Sequence, residues 1–130
     1  MDYGFGVRLG RPFAEAVEAV TAALKEQGFG VLTTIDIRAT LREKIGEEVE
    51  DYVILGACNP SLAHRALRAD RRIGLLLPCN VVVRADGDGA VVEAVDPQVL
   101  VALAGPDGGL GEVADEAGRR LRAALGSLRD

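Results

Sequence analysis

Several residue types are scarce in this chain, which has no tryptophan, one methionine, one histidine, two cysteines and two asparagines among 130 residues. Two cysteines are too few for the disulfide framework of a small secreted protein. A chain of this length buries a sufficient core without disulfides or a structural metal. Hydrophobic residues make up 48% and charged residues 27% of the chain, as is ordinary for globular proteins. We therefore expect one domain over residues 1–130.

Long apolar stretches and an excess of basic charge are also missing. No apolar run is long enough for a helix that spans a membrane. The first residues, Met1–Gly4, lack the basic start and apolar stretch of a secretory signal, which predicts a cytoplasmic location with reduced thiols. A net charge of -5 argues against a general nucleic-acid binder. Neither a membrane nor a nucleic acid is expected as a partner.

The hydrophobic pattern predicts five strands and two longer helices. Alternating apolar residues indicate a first strand over Tyr3–Leu9, and apolar residues at helical spacing indicate a helix from Pro12 to the stop signal Gly28. Amphipathic spacing from Leu110 to Leu128 predicts the final helix. The other four strands are predicted over Gly30–Ile37, Tyr52–Cys58, Cys79–Ala85 and Ala90–Val95.

Short helices are predicted in the connections. One covers Arg38–Ile45, and another starts at Asn59-Pro60, because Asn caps a helix and Pro fits its first turn, and runs to about Asp70. A third opens at Asp96-Pro97 and ends at Gly105-Pro106, before a loop at Asp107–Gly109. The order of strand, helix, four strands and helix predicts an α+β fold, with a mostly antiparallel five-stranded sheet covered by two main helices.

The residues with the most distinctive chemistry occur close together in the sequence. The cysteines and asparagines form the pairs Cys58-Asn59 and Cys79-Asn80, and the single histidine, His64, lies six residues after Cys58. Thiolate and imidazole groups suit metal binding, redox chemistry and nucleophilic chemistry. We therefore take these five residues as the candidate thiol or ligand site.

Strand register decides whether the two cysteines can share a site. If the fourth strand begins at Cys79 and pairs antiparallel with the third, Cys58 and Cys79 are close neighbours at one end of the sheet. If that strand begins at Ile73, they lie about 20 Å apart at ~3.3 Å per residue. A helix N-terminus directly after Cys58 is expected to lower the pKa of its thiol.

Three interpretations of these residues remain open. Both cysteines can be small buried apolar residues, with Asn59 as a helix cap and Asn80 as a turn residue. One or both thiols can instead perform redox or sulfur chemistry. The third interpretation is a metal site formed by Cys58, His64 and Cys79, for which the sequence suggests no fourth ligand. No motif indicates a cofactor, and no serine is placed for a recognisable catalytic triad.

Two long segments carry a family resemblance. They are Ile54–Leu67, which contains Asn59-Pro60, and Ile73–Val83, which contains Leu77-Pro78. Together with Gly28–Val31, they resemble the bacterial and archaeal "domain of unknown function 302" family, and the resemblance covers nearly the whole chain. It implies a fold related to the TATA-binding-protein half-repeat, often found as a homodimer. It implies neither DNA binding nor catalytic residues.

The sequence favours a binding role over catalysis, because no acid, base and pocket can be named together. We expect a homodimeric ligand-binding or accessory module, with a small molecule as the ligand. The alternative is a thiol-based redox, sulfur-handling or metal-binding protein that uses Cys58 and Cys79. The first hypothesis predicts that replacing both cysteines changes stability only. The second predicts at least one exposed thiol with a depressed pKa.

Overall fold

A computed structural model of the chain describes residues 2–105 and 108–130. The strands in this part of the chain are β1 (Gly4–Leu9), β2 (Gly30–Asp36), β3 (Tyr52–Cys58), β4 (Cys79–Asp86) and β5 (Gly89–Val95). They form one sheet in the order β1-β5-β4-β3-β2, and every neighbouring pair is antiparallel. The predicted α+β fold and its order of strands and helices are therefore confirmed.

The helices are α1 (Phe13–Glu26), α2 (Ile37–Ile45), α3 (Pro60–Ala69), a 3₁₀ helix (Arg71–Leu76), α4 (Gln98–Ala104) and α5 (Gly111–Gly126). Strand β2 ends one residue earlier than predicted, because the Asp36 carboxylate accepts a hydrogen bond from the Ala39 N–H at 2.9 Å and caps α2. The predicted loop at Asp107–Gly109 lies partly outside the described residues.

The connection from α3 to β4 settles the register that the sequence left open. The apolar residues after Arg72 form the 3₁₀ helix, and a cis Leu77–Pro78 peptide bond follows it. Strand β4 therefore begins at Cys79, as the first of the two alternatives predicts. The excursion from Asn59 to Pro78 leaves and re-enters the sheet at the same end, because Ala57 on β3 pairs with Cys79 on β4.

One face of the sheet packs against α1 and α5. Residues alternate along β1, β3, β4 and β5 between this buried face and the opposite face, as the period of two in a strand requires. The main core lies between the sheet and these two helices. Its buried members include Val20, Leu24, Val53, Leu55, Val81, Val83, Val92, Leu121 and Leu125.

A second apolar cluster lies beyond the end of the sheet. It joins α3, the 3₁₀ helix and α4 to the first half of α5. Helix α5 belongs to both clusters, since Val113 and Ala117 pack in the second and Leu121 and Leu125 in the first. The remaining buried members of the second cluster are Leu62, Ala66, Ile73, Leu100 and Leu110.

The sheet face opposite α1 and α5 remains half-buried to exposed, and we name it the open face. Its strand residues include Tyr52, Asn80, Arg84 and Val91 together with an aliphatic row. That row runs straight across three paired strands, through Ile35, Ile54 and Val82. Edge strand β2 carries an irregularity between Val31 and Thr33, where Leu32 is the extra residue of a β-bulge.

Candidate functional site

A cavity of about 360 Å³ lies between the two apolar clusters and opens to solvent. Its wall combines the end of the sheet, at Ala57 and Cys79, and Phe29 directly before β2 with the helices of the second cluster. The other lining residues are Leu32, Cys58, Asn59, Leu62, Ala63, Ala66, Leu67, Gly74, Leu77, Pro78, Leu100, Val113, Ala114 and Ala117. No charged side chain belongs to this lining, and every lining residue is within the described ranges 2–105 and 108–130.

Small residues on two neighbouring helices leave the space for the cavity. Ala63 and Ala66 of α3 and Ala114 and Ala117 of α5 all line it. An alanine side chain ends at Cβ. The distance between α3 and α5 is therefore set by the larger residues next to these alanines. The volume that would otherwise hold side chains therefore stays empty of protein atoms.

The start of α3 forms one edge of the cavity, and two residues determine it. Asn59 is 8% exposed, and its Oδ1 accepts a hydrogen bond from the Leu62 N–H at 3.1 Å. Pro60 occupies the next position, where a helix needs no intrahelical N–H donor. The predicted cap is thus present, and the first turn of α3 begins directly at the cavity wall.

The two thiols lie in the wall of the same cavity, and both are free. Burial raises the pKa of the Cys58 thiol above its ordinary value. Burial also raises the pKa of Cys79 to about 11, and the neighbouring Cys58 adds to this effect. The direction at Cys58 is opposite to that expected next to a helix N-terminus, and its cause is the loss of hydration on burial. Both thiols are therefore protonated at neutral pH.

Cys58, Asn59 and Cys79 are the predicted site residues that line the cavity. His64 is exposed on α3 and is not part of the lining. Asn80 is exposed on the open face, where it lines a separate depression with Tyr52 and Val82. Within residues 2–105 and 108–130, no group of three or more His, Cys, Asp or Glu side chains is arranged to hold a metal ion.

Residues 5–128 match the family model described as "Domain of unknown function DUF302". The chain belongs to the DUF302 family.

A solved DUF302 structure has the same architecture. It is the crystal structure of the uncharacterized conserved protein DUF302 from Bacillus stearothermophilus, which is 31% identical to this chain. The alignment covers 97% of this chain and 98% of that one, with a TM-score of 0.88. No match was found among curated proteins. The family resemblance noted in the sequence is thus confirmed.

Sequence reasoning did not find most of the cavity in this DUF302 chain. Its alanines occupy ordinary positions on the apolar faces of α3 and α5, where Ala is also a common core residue. Leu32 lines the cavity although it is 67% exposed, because the β-bulge interrupts the alternation of β2 at this point. Only the cysteine pair and the helix cap gave a local signal in the sequence.

The described part of this DUF302 chain contains no helix that is both long and apolar enough to cross a membrane. The relation to the TATA-binding-protein fold and the cytoplasmic location stay predictions.

Proposed function

We propose that the chain is a binding module for a small, largely apolar molecule held in the cavity between the two clusters. The observation that carries this proposal is the cavity itself, about 360 Å³ in volume and lined mainly by aliphatic side chains. Ligand sites in proteins are typically concave, apolar and roughly 300–1,000 Å³ in volume. At about 30 Å³ for each water-sized group, the cavity holds a ligand of about a dozen non-hydrogen atoms.

The lining supports binding better than catalysis. Neither carboxylates nor histidine belong to the cavity lining, and both thiols are protonated at neutral pH. Micromolar affinity corresponds to about 8 kcal/mol. A dozen atoms would each have to contribute about 0.7 kcal/mol, which lies within the range known for small ligands. Burial of apolar surface can therefore supply the required affinity without any charged contact.

The test uses a neutral fluorescent probe, N-phenyl-1-naphthylamine, whose emission rises in apolar sites. Ala63→Leu adds three carbon atoms to the half-buried wall of the cavity, whereas Ala22→Leu makes the same change on the exposed side of α1. We expect Ala63→Leu to weaken binding at least tenfold and Ala22→Leu to leave it within twofold. Equal binding by both variants, or no saturable binding by the unchanged protein, would overturn the proposal.

We further propose that the chain forms a homodimer through the open face. The aliphatic row of Ile35, Ile54 and Val82 lies on this face, and Ile35 is 46% exposed. Arg84 and Glu93 flank the row and lie 3.6 Å apart at their closest charged atoms. A two-fold axis lets each arginine face the glutamate of a second copy, so this face is self-complementary in charge as well as apolar.

Light scattering at micromolar concentration tests the dimer. We expect the unchanged protein to have the mass of two chains and Val82→Asp to have the mass of one, since Val82 belongs to the row and lies on the central strand of the sheet. Leu103→Asp, at a residue that is 66% exposed on α4, is the matched control and should stay dimeric. A monomeric mass for the unchanged protein would refute the assembly.

Thiol-based redox or sulfur chemistry is the second candidate function. It is favoured by the presence of Cys58 and Cys79 in the wall of one cavity. It is opposed by the raised pKa of both thiols, because the thiolate is the reactive form. Alkylation with iodoacetamide, followed at each cysteine by peptide mass spectrometry between pH 6 and 9, separates the candidates. Fast alkylation of either thiol at pH 6 would favour thiol chemistry over simple binding.

The metal-binding variant of this candidate, with Cys58, His64 and Cys79 as ligands, has a separate test. Elemental analysis of protein purified without a metal-affinity tag should give less than a tenth of a metal ion per chain. A stoichiometric transition metal that is lost in a Cys58→Ala variant would establish the metal site instead.

A further inference from the structure

We propose that the surface beside the cavity opening docks onto a membrane that contains anionic lipids. This surface consists of three exposed leucines, Leu75, Leu76 and Leu103, which we name the leucine patch, and of the arginines next to them. It lies outside the cavity and adds a second partner to the small molecule inside it. The choice of a lipid as that partner rests on the proposed function, because small apolar molecules accumulate in bilayers.

The leucine patch brings three large apolar side chains together in contact with water. Leu75 is 75% exposed, Leu103 66% and Leu76 38%. All three surround one surface depression, with Leu75 and Leu76 on the 3₁₀ helix and Leu103 on α4. Single exposed leucines are common, whereas a contiguous group with a polar rim is typical of an interaction site. A partner with an apolar interior would remove these side chains from water.

The polar rim of the patch is basic. Arg68 lies in the last turn of α3, and Arg71 and Arg72 are the first two residues of the 3₁₀ helix. Arg72 lines the same depression as the three leucines. All three arginines are exposed, and none of them forms an ion pair with a residue in the ranges 2–105 and 108–130. Their charge is therefore available to a partner.

The local charge is opposite in sign to that of the whole chain. Residues 68–76 contain three arginines and one aspartate and thus carry a net charge of +2, although the chain carries -5. The aspartate, Asp70, accepts the Arg72 backbone N–H at 2.9 Å, and α4 has no charged residue. Each arginine close to an anionic bilayer strengthens binding by a factor of about five. Charge complementarity therefore selects an anionic partner for this surface.

The opening of the cavity lies next to the leucine patch. Leu32 and Gly74 are the two exposed members of the cavity lining, so they mark the place where the cavity meets solvent. Gly74 directly precedes Leu75 in the 3₁₀ helix. A membrane that covers the patch therefore lies against the opening. An apolar molecule could then pass between bilayer and cavity without crossing water, which favours a lipid surface over an acidic protein.

This partner departs from the expectation that no membrane is involved. That expectation follows from the lack of a long apolar run, which a spanning helix needs. Docking onto a surface needs only apolar side chains that enter the headgroup region and basic ones that meet anionic lipids. The chain supplies both in one place because the 3₁₀ helix packs against α4.

Co-sedimentation with sucrose-loaded vesicles at about 0.1 M salt tests the docking surface. One set of vesicles contains phosphatidylcholine alone, and the other contains equal parts of phosphatidylcholine and phosphatidylglycerol. We expect the unchanged chain to bind the mixed vesicles at least tenfold more tightly. Leu75→Asp should weaken binding to the mixed vesicles at least tenfold. Its matched control is Ile45→Asp, at a residue that is 66% exposed on α2, which should stay within threefold.

A second pair of variants tests the arginines. Arg71→Gln/Arg72→Gln should weaken binding to the mixed vesicles at least tenfold. Lys25→Gln/Lys44→Gln removes the same charge from exposed positions on α1 and α2 and should change it less than threefold. All the substituted side chains are exposed, so the variants should fold, and circular dichroism checks this.

Each contrary result has its own meaning. Binding of the unchanged chain to neither kind of vesicle, or equally to both, would overturn the docking surface. Equal losses in a variant and its control would overturn its placement at the leucine patch. Capture by soluble polyglutamate without binding to vesicles would replace the lipid with an acidic protein. Saturable binding of the neutral fluorescent probe without binding to vesicles would refute this inference alone, whereas the reverse pattern would refute the proposed function alone.

Discussion

The raised pKa of Cys79 makes the stability of the fold depend on alkaline pH. Burial raises the pKa of this thiol to about 11. Cys79 therefore keeps its proton in the folded chain at pH values at which it has lost it in the unfolded chain. The folded state then binds more protons than the unfolded state. Stability must therefore fall as the pH rises from the ordinary thiol pKa, near 9, towards 11.

The size of the effect follows from the two pKa values. One pH unit of difference in proton binding corresponds to about 1.4 kcal/mol. Between pH 8 and pH 10, the contribution of Cys79 to the free energy of unfolding should fall by about 1.4 kcal/mol. Cys79→Ala removes this pH-dependent contribution. It also causes a loss on the order of 1 kcal/mol that does not depend on pH, because a buried sulfur atom is lost.

Urea denaturation at pH 8, 9 and 10 measures the effect as a difference between the unchanged protein and Cys79→Ala. All other titratable groups are common to both chains, so their effects cancel in the difference. Cys58→Ala keeps Cys79 and should retain most of the alkaline loss. A constant difference between the unchanged protein and Cys79→Ala across these pH values would show that Cys79 titrates normally, and the argument from burial would fail.

Substitutions at three further positions test the packing, the helix cap and the turn at Gly28. Leu121→Ala should lower the free energy of unfolding in urea by about 2–5 kcal/mol, because Leu121 is fully buried in the main core; a loss under 1 kcal/mol would contradict this packing. Asn59→Ala should cost about 1 kcal/mol in the same assay and Asn59→Asp only a few tenths, so equal losses would contradict the cap. Gly28→Ala should cost about 1–2 kcal/mol, since its φ is +86°; an unchanged midpoint in calorimetry would count against that conformation.

The fold was predictable because strong local signals agree with the tertiary structure. Asn59-Pro60 combines a capping amide with a residue suited to the first helical turn, and α3 begins there. Proline at position 78 cannot donate to a strand ladder, which favoured a strand start at Cys79 over one at Ile73. The 3₁₀ helix was not predicted, because Ile73–Leu77 is equally compatible with a strand by hydrophobicity alone.

The candidate site was predictable only where chain topology determines it. Antiparallel pairing of β3 and β4 brings Cys58 and Cys79 to one end of the sheet, as one of the two registers requires. The distances between α3, α4 and α5 create the cavity, and no local pattern encodes them.

The irregular pairing of β2 has a consequence for solubility. A regular outer strand displays a continuous series of backbone donors and acceptors that a foreign chain can extend, and this is a common route to aggregation. In β2 the extra residue Leu32 breaks that series after Val31. Only the short regular stretch from Thr33 to Asp36 follows, and it ends in a carboxylate. An incoming strand would thus find too few aligned groups to add itself to the sheet.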